Sequence, residues 1–226
     1  AKVTVVDDDI PQVELLLDKQ LVSESDGVYA IIGTLKRTSG SSEPISVRLF
    51  DADGIGLLLP DTVRLAEGQT SMKFNIGIVD DNSANGSRSG SIRGEIILDS
   101  CGCDASSSPG GTFTSQPITI TDNDSPSLRV SLSKTMIREG GGDEIVITVS
   151  TNHLSENDIV VNLSDNGFLE LPSSIVISAG DSFATCVVRA KSDVVDSGTQ
   201  TCLIAAESDG FQKGMGYAQV TDIDLP

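Results

Sequence analysis

One short pattern recurs along this chain, and it limits the chain to a tandem architecture. Val5 to Pro11 reads VVDDDIP, Ile120 to Pro126 reads ITDNDSP and Val220 to Pro226 reads VTDIDLP. Each is an apolar strand end followed by D-x-D-x-P, and self-similarity at a fixed spacing is the signature of repeated structural units.

The repeat extends well beyond this pattern. Setting Pro11 on Pro126 carries VELLLDKQLVSE (Val13 to Glu24) onto LRVSLSKTMIRE (Leu128 to Glu139) without a gap, with Leu17 on Leu132, Lys19 on Lys134 and Glu24 on Glu139. Further on, Phe50 to Gly68 matches Leu163 to Gly180, with Leu59-Pro60 on Leu171-Pro172, Asp53 on Asp165 and Asp81 on Asp193. Apolar residues alternate with polar ones, as in Met72, Phe74, Ile76 and Ile78 and their partners Ala184, Cys186, Val188 and Ala190. A period of two puts one face of a strand against a core. Turn signals such as Ser25 to Gly27, Gly140 to Gly142 and Asp196 to Gly198 separate these runs.

These patterns predict an all-β chain of two tandem immunoglobulin-like antiparallel β-sandwiches with about seven strands each, and no helix. The 226 residues suit two such units: residues 1–10 as the last strand and linker of a preceding module, 11–125 as module 1 and 126–226 as module 2. Because the strand Lys2 to Val6 has no module before it, the chain reads as part of a longer array.

Charge excludes some partners. Asp and Glu number 33 against 15 Lys and Arg, a formal net charge of -18, and such a field repels nucleic acid and anionic membrane surfaces. No apolar run approaches the roughly 20 residues of a membrane span, and AKVTVVDDD lacks the layout of a signal peptide.

Nothing points to catalysis. The one histidine, His153 in TNHLSEN, has no nucleophile elbow or metal motif beside it and reads as an exposed turn residue. Glycoside hydrolysis by paired carboxylates needs aromatic platforms, and aromatics are 4% of the chain. The glycine runs Gly140 to Gly142 and Pro109 to Gly111 lack the lysine and helix of a phosphate loop.

Four cysteines fit two disulfides in an oxidising compartment. Cys186 and Cys202 fall on consecutive strands in inward phase, which predicts a bridge worth about 3 kcal/mol; two buried thiols are the alternative. Cys101 and Cys103 flank one glycine in CGCDASSSPGG, where a bond is strained. Their loop, Ser100 to Thr114, reads as an insertion with or without a recognition role.

VSESDG around Glu24, FDADG around Asp53, IGIVDDN with Asp80 and Asp81, and ITITDNDSP, followed in the second half by REGGG, SDNG, AKSDVVDSGTQT and VTDID, together resemble the Calx-β family over nearly the whole chain. The resemblance implies a Ca²⁺-binding tip formed by Glu24, Asp53, Asp80, Asp81, Asp122 and Asp124 in module 1. The matching set in module 2 is Glu139, Asp165, Asp193, Asp222 and Asp224. Ca²⁺ takes six to eight oxygens, and carboxylates on several turns at one tip can supply them; the same residue types also serve turns without any metal. The chain departs from the family where Asn82 to Arg88 replaces an acidic run and where Ser192 stands at the position of Asp80.

The expectation is a non-catalytic, extracellular or cell-surface structural spacer of a surface, matrix or fibre protein, such as an adhesin stalk, stiffened by Ca²⁺ at tips and junctions. Its partners would be neighbouring modules, other surface or matrix proteins and copies of itself. The alternative is recognition of a glycan or protein through tip loops, with few aromatics besides Tyr29 and Tyr217 to serve it. An intracellular Ca²⁺ sensor with reduced thiols is the third reading.

Overall fold

The computed structural model describes residues 12–39, 43–98, 109–140, 142–192 and 198–222. The chain forms two compact units, one made of the segments ending at Asp81 and spanning Gly86–Asn123, the other of Asn82–Asn85 and the chain from Asp124 onward. Both are β-sandwiches, and each has its own apolar core.

The second unit is the simpler copy. Its strands are β12 (Leu128–Leu132), β13 (Met136–Arg138), β14 (Ile145–Thr151), β15 (Ile159–Asp165), β16 (Ser174–Ile177), β17 (Phe183–Val188), β18 (Thr199–Glu207) and β19 (Gly214–Thr221). One sheet has the order β12-β14-β17 and the other β13-β19-β18-β15-β16. All pairings are antiparallel except that of β13 with β19.

The first unit has the same plan with interruptions. Its strands are β1 (Gln12–Leu17), β2 (Leu21–Ser23), β3 (Ile31–Ser39), β4 (Ile45–Asp51), β5 (Leu57–Leu58), β6 (Thr62–Leu65), β7 (Ser71–Ile78), β8 (Arg88–Gly90), β9 (Ile92–Leu98), β10 (Pro109–Thr114) and β11 (Ile118–Thr121). They form sheets β1-β3-β7-β5, β10-β9-β4-β6 and β2-β11-β8. The pair β8 and β9 is the counterpart of β18, broken at Ser91, and β10 and β11 together are the counterpart of β19. Pro117, which lacks a backbone donor, lies in the second break. There Ser115 takes over the local bonding, its amide donating to Ile92 O at 2.8 Å and its Oγ accepting from Ile92 N at 2.9 Å.

Alternation builds both cores. In β4, Ile45, Val47 and Leu49 are buried while Arg48 and Phe50 are exposed. The most enclosed side chains are Ile31, Leu35, Leu65, Ile76 and Ile92 in one unit and Ile137, Ile145 and Ile147 in the other. Each such side chain contributes about 1.5 to 3 kcal/mol by leaving water. Among the described residues one helix interrupts the strands, a 3₁₀ helix over Glu24–Tyr29, which alternation and turn residues do not reveal.

Gly94 pairs with Phe113 across β9 and β10, and a Cβ at Gly94 would stand 2.1 Å from the Phe113 ring. The ring therefore lies over the glycine as a cross-strand cover. Gly94→Ala is expected to push the ring off this seat and cost about 1 to 3 kcal/mol, read as a lower urea midpoint at unchanged slope.

Candidate metal site

Strand pairing gathers one end of the first unit. β11 runs parallel to β2, with Thr121 opposite Ser23, so Asp122 and Glu24 leave adjacent strand ends together. On the other side, β11 pairs with β8 and sets Ile120 opposite Arg88. Three residues far apart in sequence thus reach one place through a three-stranded ladder.

Glu24 is the centre of this group, its residue wholly buried where it opens the 3₁₀ helix. Ligand atoms of Glu24 and Asp122 lie within 4.8 Å of each other; Asp124 belongs to the second unit. The Arg88 guanidinium forms an ion pair with Glu24 Oε1 and donates through Nε to Ile55 O at 2.8 Å. Glu24 Oε2 has no hydrogen-bond partner among the described residues. Burial is the main force raising the Glu24 carboxyl above its ordinary range; Arg88 opposes it, and Asp81 and Asp122 add to it. A buried carboxylate held near other acids is a marker of a functional site.

The other acids of the first unit go elsewhere. Asp53 is exposed and accepts from Ser91 N at 2.8 Å and Ser91 Oγ at 3.0 Å. Asp80 and Asp81 are exposed after β7, Asp81 within electrostatic reach of Glu24. Asp122 also accepts from Gly86 N at 2.6 Å.

In the second unit, Glu139 is buried at the position of Glu24, and Gln200 stands where Arg88 does, because Val220 pairs with Gln200 as Ile120 pairs with Arg88. Asp222 directly follows β19. Asp193 and Asp224 lie outside the described residues. Asp165 accepts from Gly167 N at 3.0 Å and Leu169 N at 2.8 Å, a turn-holding role. Its structural partner in the first unit is Asp51, not Asp53: both end the equivalent strand, and Asp51 accepts from the amides of Ile55, Gly56 and Leu57.

Sequence reading passed over two of these residues. Arg88 counted only as a break in an acidic run, and the signal that finds it is its ladder position opposite Ile120. Asp51 is signalled by an aspartate at a strand end followed by glycines.

The expected Cys186–Cys202 bridge is not formed; both are free thiols. β17 and β18 belong to different sheets. Cys202 Sγ lies 3.9 Å from Asp165 Oδ2, not against Cys186. Cys101 and Cys103 lie outside the described residues.

His153 is half-buried in its turn, bound through Nδ1 to Ala84 O and set edge-on to Phe211 with ring centres 6.0 Å apart. Sequence alone placed it in solvent. An open depression of about 420 Å³ beside it is lined by Asp158, Asn162, Asp209 and Phe211 among others.

No family model and no curated protein matches the chain. Among solved structures it is similar to CBD12 from CALX1.2, at 9% identity and a TM-score of 0.34, covering 92% of this chain and 99% of that one. The calcium binding domain CBD12 of CALX1.1 is similar at 9% identity and a TM-score of 0.35, over 89% and 96% of the two chains. A glycosyl hydrolase family 2 member from Bacteroides cellulosilyticus is similar at 11% identity and a TM-score of 0.35; the match covers 84% of this chain and 23% of that one.

Burial pushes the Cys202 thiol up to about 11, with the Asp165 carboxylate adding to the shift. Because the folded value exceeds the unfolded one, the stabilisation is complete below pH 9 and is lost as pH rises towards 11. Cys202 is expected to resist alkylation at pH 8 in the folded chain and to react on denaturation, read by peptide mass spectrometry. Equal labelling in both states counts against this environment.

Proposed function

We propose that the chain is a pair of non-catalytic Calx-β-like modules, an extracellular spacer within a larger surface, matrix or fibre protein, and that its first unit takes one Ca²⁺ at the Glu24 tip. The observation that carries the metal reading is the buried Glu24, with one oxygen lacking a hydrogen bond and the Asp122 carboxylate within 4.8 Å. The donor set fits a hard cation, since both ligands are carboxylates. Glu24 and Asp122 would hold it, and solvent or backbone oxygens would complete the shell.

The bound ion supplies charge neutralisation, and the residues around it fix how strongly it is needed. Arg88 already cancels one of the negative charges, so the tip is held together without metal. That built-in cation lowers the gain from Ca²⁺ and suits affinities of about 0.1 to 1 mM, the range of extracellular modules. The repeated acidic linkers support the spacer role. The free thiols of Cys186 and Cys202 take that pair out of the argument for an oxidising compartment, and the extracellular placement is supported by the acidic repeat architecture.

Thermal unfolding in excess Ca²⁺ and in chelator tests the metal reading. A concentration ten times the dissociation constant should add about 1.4 kcal/mol, a rise of a few degrees, and Asp122→Asn should remove it. Arg88→Ala leaves the buried Glu24 charge unopposed and should cost about 3 to 5 kcal/mol in chelator, with part of that loss recovered in Ca²⁺. Identical melting curves with and without Ca²⁺, in both the parent chain and Arg88→Ala, would overturn the proposal.

A further inference from the structure

Beside His153 the second unit carries a depression of about 420 Å³ that the spacer role does not use. Its size falls in the range of small-ligand sites, about 300 to 1,000 Å³. Three pieces of chain meet there: the hairpin before β15, the first residues of β15, and the turn that joins β18 to β19. The antiparallel pairing of β15 with β18 sets Asn162 opposite Glu207, which brings it next to the turn at Ser208 and Asp209.

Each piece is fixed by other bonds. In the hairpin, Gly180 N donates to Ser155 O at 2.9 Å and Asn157 N to Ser155 Oγ at 3.0 Å. Asp158 accepts from Ala179 N through Oδ1 at 2.9 Å, which leaves Oδ2. The turn is closed by Phe211 N donating to Ser208 O at 3.2 Å, and Gln212 N donates to Pro126 O at 2.8 Å. His153 Nδ1 lies 2.5 Å from the carbonyl oxygen of Ala84, a residue of the same unit. A carbonyl only accepts, so Nδ1 carries the hydrogen and Nε2 of the neutral ring is left as an acceptor. Phe211, edge-on to His153, packs partly on the core and lines the depression with the rest of its ring. Among the described residues, the side chains of Asn162 and Asp209 make no hydrogen bond.

The wall selects a ligand class. It combines two carboxylates, an amide and an imidazole nitrogen with an aromatic ring, and no lysine or arginine lines it. Lys213, two residues past Phe211, is paired with Glu207 at 2.5 Å. The carboxylates and the net charge of -18 turn anions away. A cation would use the carboxylates and the ring and leave the Asn162 amide hydrogens idle; a hydroxyl both donates and accepts and uses all of them.

We infer that this depression binds a neutral pyranose saccharide, whose neighbouring hydroxyls donate to Asp158 and Asp209 and accept from Asn162, with its apolar C–H face on Phe211. The first unit is built without such a site. The register of β4 against β6 and β9 puts Arg48 at the place of Asn162, and Pro44 precedes β4 where Asp158 precedes β15. Saccharide binding is therefore a property of the second unit and not of the fold, and it uses none of the residues of the Glu24 tip.

Amide proton–nitrogen correlation NMR of the full chain in chelator tests this, with methyl glycosides of glucose, galactose, mannose and N-acetylglucosamine added to about 50 mM, which reads millimolar affinities. Saturable shifts at Asp158, Asn162 and the Ser208 to Phe211 turn are expected with at least one glycoside. Asn162→Arg, which installs the residue of the first unit, and Asp209→Ala should each weaken that binding at least about tenfold. Both positions are exposed, so the thermal midpoints should stay unchanged. No saturable shift with any of these glycosides, shifts confined to other parts of the chain, or binding indifferent to both substitutions overturns the inference. N-acetylarginine amide shifting the same amides where the glycosides do not also overturns it, by assigning the depression to a cation.

Discussion

The parallel contact between the last strand of each unit and a short strand near its start is the constraint on which the rest depends. β11 against β2, and β19 against β13, are the parallel pairings found among the described strands. Each closes its sandwich, and each brings the aspartate that follows the closing strand beside a glutamate that follows the opening one. The D-x-D of the repeat is thus a consequence of closure. Wherever the chain ends a unit this way, acids collect at that end.

Closure creates an electrostatic problem that the first unit answers with Arg88. A wholly buried carboxylate without a partner is costly, and two more acids nearby worsen it. Arg88 comes from the strand on the opposite side of β11 and offsets part of that cost. It leaves Glu24 Oε2 and the other acids to whatever the surroundings provide. In the second unit Gln200 takes the place of Arg88, so the same end of the fold is built there without that guanidinium.

Much of this was legible in the sequence. The repeat, the alternation and the turn residues led to all-β sandwiches, because side-chain period and turn chemistry are local properties. The grouping of Glu24 with the acids that follow the closing strand came from the resemblance to the Calx-β family and not from the repeat itself. What failed was register across the length difference in the hairpin before Asp53: the alignment set Asp53 on Asp165, and backbone bonding makes Asp51 the equivalent. The thiol pairing failed for a related reason. Inward phase says that Cys186 and Cys202 face one core, and does not say that their strands lie in different sheets around it. The 3₁₀ helix at Glu24 follows from the chain's need to cross from β2 to β3 over the core, a tertiary demand with no periodic trace.

The two units show which positions the fold constrains. Inward positions keep their character between copies, as in Ile76 and Val188 or Ile120 and Val220, because volume lost there leaves a cavity. Outward positions of the same strands are free to diverge, and they do so completely at Ser71, Lys73 and Asn75 against Phe183, Thr185 and Val187. Fold is therefore carried by one half of each strand.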